Sequence, residues 1–159
     1  MPTITIAPVR KILHVNISRA QAFELFTTGI DRWWPHKHHI GSTPMKTAVL
    51  ERFIGGRWYH ICEDGSESNF ARVLVWQPPE RFMVAWQFNG KWQFDPEIST
   101  EVDVYFFAES DKTTRIELEH RHIEKLGEMA ETFHGQVDGG WGEILECFGK
   151  AADATTKAI

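Results

Sequence analysis

A chain of 159 residues with 42% hydrophobic and 25% charged residues accommodates one ordinary core, and one domain is expected over residues 1–159. A formal net charge of −5, with 17 Lys and Arg dispersed among 22 Asp and Glu, excludes the concentrated cationic surface that nucleic acid or an anionic membrane requires. Two distant cysteines, Cys62 and Cys147, make no disulfide framework; the N-terminus lacks signal-peptide order, and no apolar run nears the ~20 residues that span a bilayer, so a soluble cytoplasmic protein is expected.

Residues about 4–16 alternate apolar and polar and end in Ile12, Leu13, Val15 and Ile17, which predicts a first strand. Ser18-Arg19-Ala20-Gln21 has the capping-box form, and Ala22, Phe23, Leu25 and Phe26 follow at helical spacing up to Gly29. A short helix or turn should hold Ile30, Trp33 and Trp34 before Pro35, and His36 to Ser42 reads as an irregular loop.

From Thr47 to Arg121 the pattern is that of strands. Val49, Leu50 and Phe53 precede Gly55-Gly56, a pair expected to bend the sheet rather than to touch a ligand. Trp58 to Cys62 forms a run, Asp64-Gly65 turns the chain, and Phe70 to Trp76 forms another run before Pro78-Pro79. In that last run the pattern leaves open whether Phe70, Arg72 and Leu74 or Ala71, Val73 and Val75 face inward. Phe82, Val84, Trp86 and Phe88 alternate with Met83, Ala85 and Gln87. Val102, Val104 and Phe106, then Ile116, Leu118 and His120, form apolar faces opposite Glu101, Asp103, Glu117 and Glu119. One buried and one wet face is the signature of an antiparallel sheet, and these carboxylates are expected to serve solubility and edge protection. At the end, Val137, Trp141, Ile144, Leu145, Phe148 and Ala152 share one helical face. Gly139, Gly140, Gly142 and Gly149 imply either that this helix starts after Gly140 or that small residues are needed where it meets the sheet.

Chemistry-bearing patterns are sparse. No nucleophile elbow or phosphate-binding glycine loop is present, and no cofactor is implied. His120/His122 and His60/Cys62 have i, i+2 spacing without a second converging pair, so no metal site is expected, and His36-Lys37-His38-His39 reads as a solvated loop. His120 carries on the buried parity of Ile116 and Leu118. That makes it the best single candidate for proton transfer, the alternative being a core histidine hydrogen-bonded at the end of the sheet.

Phe53-Ile54-Gly55-Gly56-Arg57-Trp58, Asp64-Gly65, Pro78-Pro79-Glu80-Arg81-Phe82, Trp86, His120 and Gly140-Trp141 resemble the START-like (SRPBCC) superfamily. Within it they are similar to the branch named for activators of the heat-shock-protein-90 ATPase. The resemblance runs from Ser18 to about Ala152. It implies an α+β helix-grip fold, in which a curved antiparallel sheet wraps around a long C-terminal helix, with two short helices after the first strand. It also implies a hydrophobic cavity between sheet and helix. Trp33, Trp34, Phe53, Trp58, Trp86, Phe88, Phe106, His120, Trp141 and Leu145 are the residues expected to line it, unless these rings instead fill the space.

Three functions follow as expectations. The first is binding of a small apolar molecule, aromatic or lipid-like, in that cavity. The second is an enzyme of the cyclase, dehydratase or hydrolase type using the same cavity, with His120 in proton transfer. The third is a module that contacts a chaperone through its surface, although 159 residues leave no room for the additional N-terminal domain of the eukaryotic co-chaperones. A monomer or homodimer is expected.

Overall fold

A computed structural model describes residues 6–35 and 45–157. Seven strands form one antiparallel sheet in the order β1-β7-β6-β5-β4-β3-β2. The strands are β1 Val9–Val15, β2 Met45–Leu50, β3 Arg57–Cys62, β4 Glu67–Gln77, β5 Arg81–Trp86, β6 Thr100–Ser110 and β7 Thr113–Arg121. Strands β2 to β7 run as a meander, and β1 closes onto β7 in a register that pairs Val9 with His120 and Val15 with Thr114. The sheet curls as a half-barrel around a long C-terminal helix, α3, Ala130–Lys157, which is the expected helix-grip arrangement.

Helix α1, Arg19–Thr27, starts as its sequence requires. The Ser18 hydroxyl accepts the Gln21 backbone N–H, while the Gln21 side chain accepts the Ser18 N–H. Gly29 then separates α1 from the single turn α2, Ile30–Trp33. Asp31 fixes that turn to the sheet by accepting the Ala48 backbone N–H at 2.8 Å. This places Trp33 and Trp34 against the sheet interior, where both are buried. The histidine-rich loop expected at His36 to Ser42 lies outside the described residues.

The glycine pair expected to bend the sheet lies between two strands rather than within one. Gly55-Gly56 is the turn between β2 and β3, and Gly55 takes φ 90°, which glycine adopts without steric penalty. A Cβ on Gly56 would lie 2.8 Å from the Glu51 carbonyl oxygen, so that turn closes only around a bare backbone. The register of the sheet shifts at Lys46 in β2, at Glu109 in β6 and twice in β4. Trp58 pairs with Ala71 but Tyr59 pairs with Asn69, leaving Phe70 as an extra residue. Val73 pairs with Val84 and Val75 with Met83, leaving Leu74 as a second. Each bulge flips the alternation, so Phe70, then Ala71 and Val73, and then Trp76 face the core. Neither of the two inward sets read from the sequence is right alone, because each holds for part of the strand.

Of the two alternatives read from the glycines of the last helix, a start after Gly140 is excluded: α3 runs through all the glycines of this segment, preceded by a 3-10 segment, Ile123–Met129. Where α3 crosses β1, the positions of Gly142 and Gly149 approach Lys11 and Leu13 at ordinary contact distance, and Lys11 binds Asp138 at 2.9 Å. Strands β6 and β7 are central, so their carboxylates protect no edge. Asp103 is buried beneath two guanidiniums: Arg81 donates to both its oxygens at 2.9 and 2.8 Å, and Arg121 donates at 3.1 Å.

Candidate functional site

The core is aromatic and divides into two groups of rings. At the α1 end, Phe23, Phe26, Trp33, Phe82, Phe106 and Phe148 interlock with centroids mostly 5–6 Å apart. The Trp33 indole donates to the Leu25 carbonyl at 2.9 Å, so this group is packed and its polar atom paired. Trp33 and Phe106, both expected to line the ligand cavity, belong to this packed end.

The second group is a closed four-membered ring of tryptophans. Trp34 meets Trp58 at 5.0 Å, Trp58 meets Trp86 at 5.5 Å, Trp86 meets Trp141 at 5.4 Å, and Trp141 returns to Trp34 at 6.1 Å. Each comes from a different part of the fold: the end of α2, β3, β5 and α3. Three of the four contacts are edge-to-face, at 74°, 83° and 82°. Phe70 and Phe88 back this box from the sheet side and touch Trp86 at 5.7 and 5.9 Å. The structure thus brings Trp34, Trp58, Trp86, Phe88, His120 and Trp141 together, with Leu145 buried one turn further along α3. Phe53 is not among them. It is 57% exposed on the β2–β3 turn, beside a surface groove with Trp76 and Pro78, because the apolar run that suggested a strand ends at Leu50.

His120 sits at the edge of the box, fully buried, with both ring nitrogens engaged. Trp141 Nε1 donates to Nδ1 at 3.1 Å, and Nε2 lies 2.6 Å from Thr100 Oγ1. An indole N–H only donates, so Nδ1 is the bare nitrogen and Nε2 carries the proton, which it gives to Thr100. Burial, with a smaller contribution from the charge of nearby His134, pushes the imidazole pKa down from 6.5 to about 3. The ring is therefore neutral across the physiological range. His122, two residues on, does not join it. Its backbone turns left-handed at φ 65°, and its side chain points to Glu101 at 3.1 Å.

The indole N–H groups differ in whether they are paired. Trp33, Trp92 and Trp141 donate to Leu25, Gln136 and His120. The N–H groups of Trp58 and Trp86 are buried without a hydrogen-bond partner. An unpaired buried donor costs about 1–3 kcal/mol, and buried indoles ordinarily find an acceptor. Thr100, Phe70 and these two orphan donors are features that sequence reasoning missed. For Phe70 a strand-bulge signal was needed, and no residue type announces one. Thr100 lies twenty positions from the histidine it serves.

Comparison with known proteins agrees with this architecture. No curated protein matches the sequence. Among solved structures, an anthrahydroquino-γ-pyrone synthase, Txn09, shares 35% identity over 94% of this chain and 99% of its own, with a TM-score of 0.66. The self-sacrificing resistance protein CalC from Micromonospora echinospora shares 32% identity over 93% of this chain and 95% of its own, with a TM-score of 0.72. The Aha1 dimer from Colwellia psychrerythraea, 12% identical over 92% of this chain and 96% of its own, has a TM-score of 0.65 and shows likeness of fold alone. The fold is of the ligand-binding or cyclase-like kind. Residues 16–153 match the family described as Activator of Hsp90 ATPase homolog 1-like protein, and the chain belongs to that family.

Proposed function

We propose that this protein binds a small, flat apolar molecule between its sheet and α3, within the box of Trp34, Trp58, Trp86 and Trp141. The observation that carries this reading is the closed ring of four indoles from four separate elements, with centroids 5.0–6.1 Å apart. A core needs apolar volume, which leucine and valine supply with fewer polar atoms. Two of the four indoles, Trp58 and Trp86, carry N–H groups that such a core has no use for. Planar ligands stack on indole faces at low cost in side-chain entropy. The pairing of two relatives' names, a γ-pyrone synthase and a resistance protein, is consistent with a fold that handles small molecules.

In this reading His120 is a positioning residue. Its two hydrogen bonds hold the Trp141 ring, and it has no free nitrogen to offer a substrate. Proton transfer through it would first require one of those bonds to break.

Thermal-shift and native mass-spectrometry screens of the purified protein against polycyclic aromatics and fatty acids test the proposal. A planar aromatic at about 100-fold above its Kd should raise Tm by about 5–10 °C and quench tryptophan fluorescence. Fatty acids should do neither. Failure of every planar aromatic to bind would sink the reading.

A further inference from the structure

We infer that a second copy of this chain pairs edge to edge with strand β1, antiparallel about a twofold axis at Ile12, so that two seven-stranded sheets join into one. This does not depend on what the tryptophan box holds. The sheet has two edges, β1 and β2, and they differ. At β2 the edge is closed. Asp31 takes the Ala48 backbone N–H at 2.8 Å, α2 packs against the strand, and the register shifts at Lys46. Features of this kind keep a sheet from adding a further strand.

Strand β1 has none of them. Val9 to Val15 pairs with β7 without a register shift and contains neither proline nor glycine. Its lysine does not guard the edge either, because Lys11 Nζ lies 2.9 Å from Asp138 on the strand's own helix. In an antiparallel ladder about half the peptide groups of an edge strand point away from its neighbour. Among the described residues, no backbone group outside β7 bonds to those of β1. Where α3 runs beside the strand it presents Gly142 and Gly149 to Lys11 and Leu13, so the helix adds no bulk at those two positions.

The side chains of this edge are complementary to themselves, which selects a second copy over an unrelated strand. Ile12, the middle residue of β1, is 62% exposed. Arg10 and His14 stand two residues to either side on the same face, and each holds a carboxylate: Glu119 at 3.2 Å and Glu109 at 2.9 Å. Rotation about Ile12 sets Ile12 against its own copy and Arg10 opposite His14 of the second copy. Each end of the seam then carries one guanidinium, one imidazole and two carboxylates, so cations do not face each other without anions beside them. A twofold contact uses the same edge on both copies, and with β2 closed the assembly stops at a dimer.

The test uses the full chain. Sedimentation velocity from about 1 to about 500 µM should show a monomer–dimer equilibrium with a Kd of about 1–100 µM, since a single strand edge makes a small interface. Ile12→Lys sets two ammonium groups against each other across the axis, at a position the fold leaves exposed. It should weaken the dimer at least about tenfold and leave the circular dichroism spectrum unchanged. Disulfide trapping reads the register. In a Cys147→Ser background, with Cys62 buried, Ile12→Cys should link to itself under mild oxidation. Arg10→Cys alone should not, because its two copies would lie about 14 Å apart along the seam, yet it should link to His14→Cys in a mixture. A monomer at every concentration, a dimer indifferent to Ile12→Lys, or failure of Ile12→Cys to link to itself would each overturn the inference.

Discussion

Trp141 on α3 donates its indole N–H to Nδ1 of His120 on β7 at 3.1 Å, and the opposite nitrogen of the same ring meets Thr100 on β6 at 2.6 Å. A single imidazole therefore ties the C-terminal helix to two neighbouring strands, in one tautomer and without charge. Because the fold rather than a ligand satisfies both nitrogens, the histidine sets the position of one wall of the tryptophan box. Its consequences are measurable without knowing the ligand.

The first concerns pH. With its pKa lowered from 6.5 to about 3, His120 stays neutral in the folded state while an unfolded chain takes up a proton below about 6.5. The unfolded state then binds more protons, so stability falls as pH drops from about 6.5 towards 3, and this contribution is flat above that window. The slope attributable to this one group approaches about 1.4 kcal/mol per pH unit. Urea unfolding of wild type and His120→Gln from pH 8 to pH 4 isolates it: the difference in stability between the two should narrow as pH falls. A constant difference would show that His120 titrates normally in the folded protein.

The tautomer gives a second prediction. In Thr100→Val the Trp141 N–H still demands a bare Nδ1, so His120 should keep its proton on Nε2. In Trp141→Phe that demand is gone, and the imidazole should become a mixture of tautomers. Imidazole nitrogen-15 shifts at neutral pH distinguish the two outcomes. Each variant also leaves one buried polar atom unpaired and should lose about 1–3 kcal/mol in denaturant unfolding, with Trp141→Phe losing more through its smaller ring. Unchanged shifts in both variants would mean that burial alone selects the tautomer.

On the outer face, Asp103 is the only carboxylate of its row that is fully buried, with two arginines converging on it. Asp103→Asn removes the charge but keeps the shape, leaving Arg81 and Arg121 without their shared anion. A loss of about 2–4 kcal/mol is expected, toward the lower end for a broken buried pair because both guanidiniums still touch water. Glu101→Gln on the same face, where the carboxylate is more exposed, should cost under about 1 kcal/mol. Equal losses in the two would show that burial of Asp103 adds nothing.

Much of this framework is legible along the chain, and the rest is hidden for definite physical reasons. The Ser18–Gln21 capping box, the inward parity of Ile116, Leu118 and His120, and the apolar stripe of α3 all come from local periodicity, which sequence expresses directly. The reversal of parity at Phe70 and Leu74 does not, because a bulge is a mismatch between two strands and neither strand alone records it. Phe53 misleads for the opposite reason: its apolar side chain continues the pattern of β2 although the strand has already ended. Asp103 reads as a solvent-facing carboxylate because alternation assigns a face and says nothing of what covers it. The arginines that bury it come from β5 and the end of β7.

Helix α3 supplies the last prediction, which separates glycines kept for space from glycines that merely weaken the helix. A Cβ at Gly135 or Gly139 would meet nothing within 4 Å, and both positions lie inside a continuous helix. Alanine there should stabilise by about 0.8–1 kcal/mol per site, since glycine gives up more backbone freedom on folding, and should raise Tm by about 2–4 °C each. Gly56→Ala should do the reverse, because its Cβ would sit 2.8 Å from the backbone oxygen of Glu51. Calorimetry of the three variants checks both signs. A destabilised Gly135→Ala or Gly139→Ala would mean that these glycines are kept for space or backbone geometry after all.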